Sequence, residues 1–67
     1  MVKDPKEVVQ EIVAAVGRAK ARELLERQKI NESTAEKLVG GRYVSAVGFL
    51  LHQKIERARA ALDKQSA

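Results

Sequence analysis

Apolar residues return every three or four positions along most of this chain, and nowhere do they alternate over the length of a strand. Val9, Ile12, Val13 and Val16, with Val8 beside them, mark a first helix over about residues 5–16. Asp4 can cap it, Pro5 suits its first position, and Glu7 completes a capping-box pattern. Gly17 is the natural stop. Ala21, Leu24, Leu25 and Gln28 share one face of a second helix, about 18–28, with arginines and glutamates on the other face. Ile30 then stands alone in a polar setting. Ala35, Leu38 and Val39 form the buried stripe of a short third helix, about 33–39. Asn31 and Ser33 both qualify as its N-cap, and Ser33 has Glu36 three residues on. Gly40 and Gly41 close it, since glycine tolerates the positive φ common after a helix. Val47, Leu50, Leu51, Ile55, Ala58 and Leu62 predict a last helix over about 46–63, followed by a frayed polar tail. The expectation is an all-α, compact four-helix domain spanning residues 1–67.

The length changes this picture in one respect. A chain of 67 residues buries only roughly 60% of the surface it exposes when unfolded. Its core is thin, and a partner chain could add to it. Cysteine is absent, which excludes disulfide staples and thiolate zinc sites and fits a reducing cytoplasm. No apolar run is long enough to span a membrane, and the start lacks the basic-then-apolar pattern of a signal peptide. The expected location is the cytoplasm.

The net charge is +4, a moderate excess compatible with a phosphate-bearing partner. Its distribution is uneven. Residues 18–29 carry Arg18, Lys20, Arg22, Arg27 and Lys29 against Glu23 and Glu26. Residues 1–17 are slightly acidic, residues 30–44 are balanced, and the C-terminal part is mildly basic. The basic excess thus sits just before the punctuated stretch "KINESTAEKLVGGRY", residues 29–43.

Two helices joined by a tight turn, the second short and polar outside, describe a helix-turn-helix. Ile30 would be the buried residue of the turn. With Ala35, Leu38 and Val39 inward, Ser33, Glu36, Lys37 and Gly40 face outward and Thr34 lies at the edge. "INESTAEKLVGGRY" resembles the recognition-helix segment of lambda-repressor/Cro-type helix-turn-helix proteins of phages and plasmids. Ile30, Asn31, Ser33, Thr34, Lys37, Leu38, Gly41, Arg42 and Tyr43 follow that family's order of residue types, and the resemblance covers about residues 18–45. The family usually places a glycine before the aliphatic turn residue, where this chain has Lys29. It usually has a small residue where Leu25 stands, and often five helices rather than four. The resemblance implies sequence-specific binding of double-stranded DNA as a homodimer, often in transcriptional repression. On this reading Asn31, Ser33, Thr34 and Lys37 are expected to approach base edges, and Lys20, Arg22, Lys29, Arg42 and Tyr43 to hold phosphates.

Other chemistry is sparse. His52 is the only histidine and is expected on the surface of the last helix, so a protein-only transition-metal site is not expected. Ser33, Ser45 and Ser66 show no sign of converging with His52 on a nucleophilic triad. "GGRYVSAVG" lacks the spacing and the lysine of a phosphate-binding loop. No enzyme activity, small-molecule substrate, cofactor or metal is expected. One Phe and one Tyr offer little platform for stacking single-stranded bases. Phe49 falls opposite the stripe of the last helix, which implies either that other helices wrap that helix on two sides or that Phe49 is a dimer contact. The alternative function is that of a small helical protein–protein adaptor with no nucleic-acid binding.

Overall fold

A computed structural model describes residues 4–66, with side chains placed through Lys64. The elements are α1 (Pro5–Val16), α2 (Arg18–Arg27), α3 (Glu32–Val39) and α4 (Phe49–Ser66). Among the described residues there is no strand, and the all-α expectation stands. None of these helices is long and apolar enough to cross a membrane.

Local chemistry sets the helix ends. Asp4 Oδ1 accepts the Lys6 N–H at 2.8 Å, and Pro5 opens α1. Gly17, at φ 88° and ψ 166°, occupies a region open essentially to glycine alone. Its N–H ends α1 on the Val13 carbonyl (2.8 Å), and its carbonyl starts α2 by accepting from Ala21 N–H (3.0 Å). A single residue therefore makes the turn between two helices. Asn31, not Ser33, caps α3: its Oδ1 accepts the Ser33 N–H at 2.9 Å. The helix consequently begins one residue earlier than the pattern predicts.

The core is one cluster drawn from every helix and one turn. Val9 and Ile12 of α1 meet Ala21, Leu24 and Leu25 of α2, then Ile30, then Ala35, Leu38 and Val39 of α3, and Ile55, Ala58 and Leu62 of α4. Val8, Val13, Val16, Tyr43, Val47 and Leu51 seal its edges. α1 and α2 each pack against all the other helices, whereas the α3 and α4 backbones do not approach within 8 Å between Cα atoms. The molecule is a central α1–α2 pair flanked by α3 and α4.

That arrangement explains the main departure from the sequence pattern. The last helix starts at Phe49, not near residue 46. Because the α3 and α4 backbones stay apart, the chain must travel between them. Extended residues advance about 3.3 Å each against 1.5 Å in a helix, so residues 42–48 stay non-helical to make the crossing. Val47 still reaches the core edge, but from this crossing segment. Leu50, placed on the buried stripe by the pattern, is instead 71% exposed. The true stripe is Leu51, Ile55, Ala58 and Leu62, and Leu50 is turned about 100° from Leu51. Gln28 is half-buried just beyond the end of α2. His52 is half-buried on the last helix. Its Nε2 is enclosed and lies 3.0 Å from a Glu56 carboxylate oxygen, an ion pair only when the ring is protonated. At the far end the helix continues to Ser66, past the expected frayed boundary.

Candidate nucleic-acid interface

The turn between α2 and α3 fixes how α3 is presented. Lys29 adopts φ 64°, the one non-glycine residue with positive φ among those described. Its N–H donates back to Glu26 O at 2.9 Å, and the Ile30 N–H donates to Leu25 O at 3.4 Å. This paired closure is the usual glycine-terminated helix end, here built on a lysine. The hydrophobic contact that accompanies such an end falls to Leu25 and Ile30, both buried. Lys29 thus stands in a glycine's conformation at the position where the resemblance would put a glycine. Leu25, the large residue where a small one is usual, shares the core with a small residue on α3, Ala35.

The end of α3 repeats the device with the expected residue. Gly41 takes φ 72°, its N–H bonds Leu38 O at 3.2 Å, and the Arg42 N–H bonds Lys37 O at 2.8 Å. Gly40 is right-handed, φ −80°. Only the second glycine of the pair is conformationally required. Gln10 of α1 adds a clamp: its Nε2 donates to Leu38 O at 3.0 Å and to Val39 O at 3.4 Å. The last carbonyls of the helix, Leu38 O beside its Gly41 bond and Val39 O, thus accept from a neighbouring helix.

The outer surface of α3 is polar throughout. Asn31, Glu32, Ser33, Glu36 and Lys37 are exposed and Thr34 is half-buried. Asn31 commits its side-chain oxygen to the cap, so its amide nitrogen is the side-chain group left to donate. Glu32 and Glu36 make this face more acidic than a charge count of the whole chain implies.

A groove of about 360 Å³ runs between the start of α2 and the end of α3, lined by Arg18, Ala19, Arg22, Glu36, Val39, Gly40 and Arg42. Arg22 lies 3.6 Å from Glu26 and Arg42 lies 4.0 Å from Glu36. These are exposed pairs of the kind worth under about 1 kcal/mol, easily exchanged for a phosphate. The structure therefore brings Arg22 and Arg42 together and adds Arg18, which the sequence placed in the basic cluster but not in the site. The i, i+4 spacing of Arg18 and Arg22 was the available signal. Glu36 was legible as an outward residue, but its pairing with Arg42 was not.

Three expected contacts are placed elsewhere. Lys20, two residues from both Arg18 and Arg22, lies about 200° around α2 from each and is half-buried. Lys29 is exposed at the turn, on the far end of α3 from Arg42, and its carbonyl accepts from Lys54 Nζ at 3.3 Å. Tyr43 turns away from Arg42 onto α1. It is half-buried, with Lys6 Nζ 5.6 Å from its ring centre, at the edge of a separate groove of about 570 Å³ that also includes Gln10, Ala14 and Leu38. Phe49 is 75% exposed. Among the described residues no helix wraps it, which disfavours the first of the two readings of that residue.

Among the described residues no three histidine, aspartate or glutamate side chains are grouped to hold a metal ion. No protein-family model, no curated protein and no solved structure matches the chain.

Proposed function

We propose that the chain binds double-stranded DNA sequence-specifically through a helix-turn-helix made of α2 and α3, and that it acts as a homodimeric cytoplasmic regulator of transcription. One observation carries this reading. α3 presents a face without a single apolar side chain, and the Arg18–Arg22–Arg42 groove opens beside it. A helix laid in the major groove needs polar tips toward the bases and cations toward the flanking phosphates. Ser33, Lys37 and the Asn31 amide supply the first. Arg18, Arg22 and Arg42 supply the second, with Lys29 at the opposite end of α3. Thr34 approaches from the edge. Lys20 and Tyr43 drop to secondary positions because of where their side chains lie.

The two carboxylates of α3 refine the reading rather than oppose it. Glu32 and Glu36 would be repelled by phosphate but can accept from the cytosine N4 amino group in the major groove. They favour a cytosine-bearing site and penalise non-specific binding, which is mostly phosphate attraction.

The test is a set of titrations on a duplex selected from a random pool and on its scrambled counterpart, over a range of salt. About four phosphate contacts give a log–log salt slope near −3.6. Lys37→Ala should erase preference between the duplexes, costing about 1–3 kcal/mol on the selected one. Arg42→Ala should weaken both alike and flatten the slope by about one. Salt-insensitive binding, or two variants indistinguishable from wild type, sinks the proposal.

A second reading rests on a different observation. Val44 (91% exposed), Phe49 and Leu50 concentrate the large exposed apolar side chains in seven residues. Such a patch suits a protein partner, and an adaptor role would show as binding of another protein with no affinity for duplex.

A further inference from the structure

The exposed side of α4 carries a knob and a hole on the same face. Phe49 is the knob, 75% exposed at the first residue of the helix. Gln53, Glu56, Arg57 and Ala60 line a shallow depression further along. On a 100° repeat these four residues centre within about 30° of Phe49 and lie opposite the buried Leu51–Ile55–Ala58–Leu62 stripe. The depression is roomy because Ala60 is small, and it is flanked by one carboxylate and one guanidinium.

A knob and a hole on one helix face are self-complementary under a two-fold axis. We propose that the occupant of this face is a second copy of the same chain, packed with the two α4 helices antiparallel, so that each Phe49 fills the other copy's depression. The centre of the hole lies about seven and a half residues beyond Phe49, some 11 Å along the helix. The two-fold axis then falls near Gln53. There the two Gln53 amides meet, and a carboxamide is both donor and acceptor, so the pair can bond reciprocally. Charge also favours a second copy. The face is balanced by Glu56 and Arg57, whereas each chain carries +4 overall. Two copies can therefore meet on this face without the repulsion that the net basic charge would otherwise bring. Phe49 to Ala60 spans only about 17 Å of helix, and the area covered is well short of the roughly 800 Å² per partner of a standard interface. Association is accordingly weak and concentration-dependent.

This deepens the homodimer element of the proposed function but does not depend on DNA. The test is sedimentation equilibrium of the free protein with circular dichroism as a check on folding. Wild type should move from monomer to dimer as concentration rises. Phe49→Ala should raise the midpoint roughly tenfold or more, as loss of an aromatic anchor does, at unchanged helicity. Because the chain has no cysteine, Gln53→Cys gives a clean second measurement. Its thiols should meet at the axis and crosslink on mild oxidation far faster than those of Glu23→Cys, placed on the exposed side of α2. A wild type that stays monomeric to its solubility limit overturns the proposal, and so does a dimer indifferent to Phe49→Ala or equal crosslinking of the two cysteine variants. The DNA reading fails separately: a wild-type dimer with no affinity for duplex would sink it and leave this interface standing.

Discussion

Replacing Lys29 by glycine should stabilise the protein, although it deletes a long side chain and touches no core residue. Lys29 is held at φ 64° by the closure that ends α2 and by burial of Ile30 immediately after it. For an L-residue that conformation costs about 1–2 kcal/mol. Glycine removes the cost, but its freer unfolded chain gives back about 0.4–1 kcal/mol. The side chain itself is exposed and contributes little packing. The bond from Lys54 Nζ goes to the Lys29 carbonyl, so it survives the substitution. The net expectation is a gain of about 1 kcal/mol, which for a domain this size raises the melting temperature by about 4–8 °C. Lys29→Ala separates backbone from charge: it removes the ammonium but keeps Cβ, and should stay within about 0.5 kcal/mol of wild type. The assay is thermal and urea unfolding followed by circular dichroism on all three proteins. If the glycine variant melts no higher than the alanine variant, the left-handed geometry at residue 29 is not where the strain lies.

The double glycine offers a matched pair. Gly41→Ala, at φ 72°, should cost about 1–2 kcal/mol. Gly40→Ala should be far milder, since its Cβ would meet only the Glu36 carbonyl at 3.3 Å and the mobile Arg42 Nε at 3.4 Å; equal losses in urea midpoints would contradict the assignment. Gln10→Ala should cost about 1 kcal/mol by releasing the end of α3, and amide exchange should accelerate at Gly41 and Arg42 while the α4 amides keep their protection.

Helix number and the inward faces of α1, α2 and α3 were legible because local periodicity and burial agree there. Ile30 was legible as well: a lone isoleucine among polar residues has little reason to exist unless a turn buries it. What local pattern could not show is where the chain must travel. Val47 and Leu50 fit the α4 stripe by spacing, yet the first lies in the crossing segment and the second in solvent, because the α3-to-α4 distance is a property of the assembled core. The same limit applies to the site. Arg18 and Arg22 could be grouped by their i, i+4 spacing, but Arg42 joins them only through the packing of α3 on α2. Tyr43 follows Arg42 in sequence and diverges from it in space because successive residues of an extended chain point to opposite sides. Gln10 carried no signal at all, since its partners are backbone carbonyls 28 and 29 residues away.

The separation of the α3 and α4 backbones, with no Cα atoms within 8 Å of each other, has a mechanical consequence. α3 is held by α2 through the turn, by α1 through the Gln10 clamp, and by its own three core residues. α4 is held by the other sides of α1 and α2. The bond between the α4 side and the turn, Lys54 Nζ to Lys29 O, is exposed and on the scale of about 1 kcal/mol, against several buried aliphatic side chains on each helix. A load on α4 is therefore transmitted to α3 mainly through the rigid α1–α2 pair. The proposed duplex-reading surface and the proposed pairing surface share no residues and can coexist on so small a chain. α1 and α2 supply the support, so α3 and α4 each bury one face and offer the other.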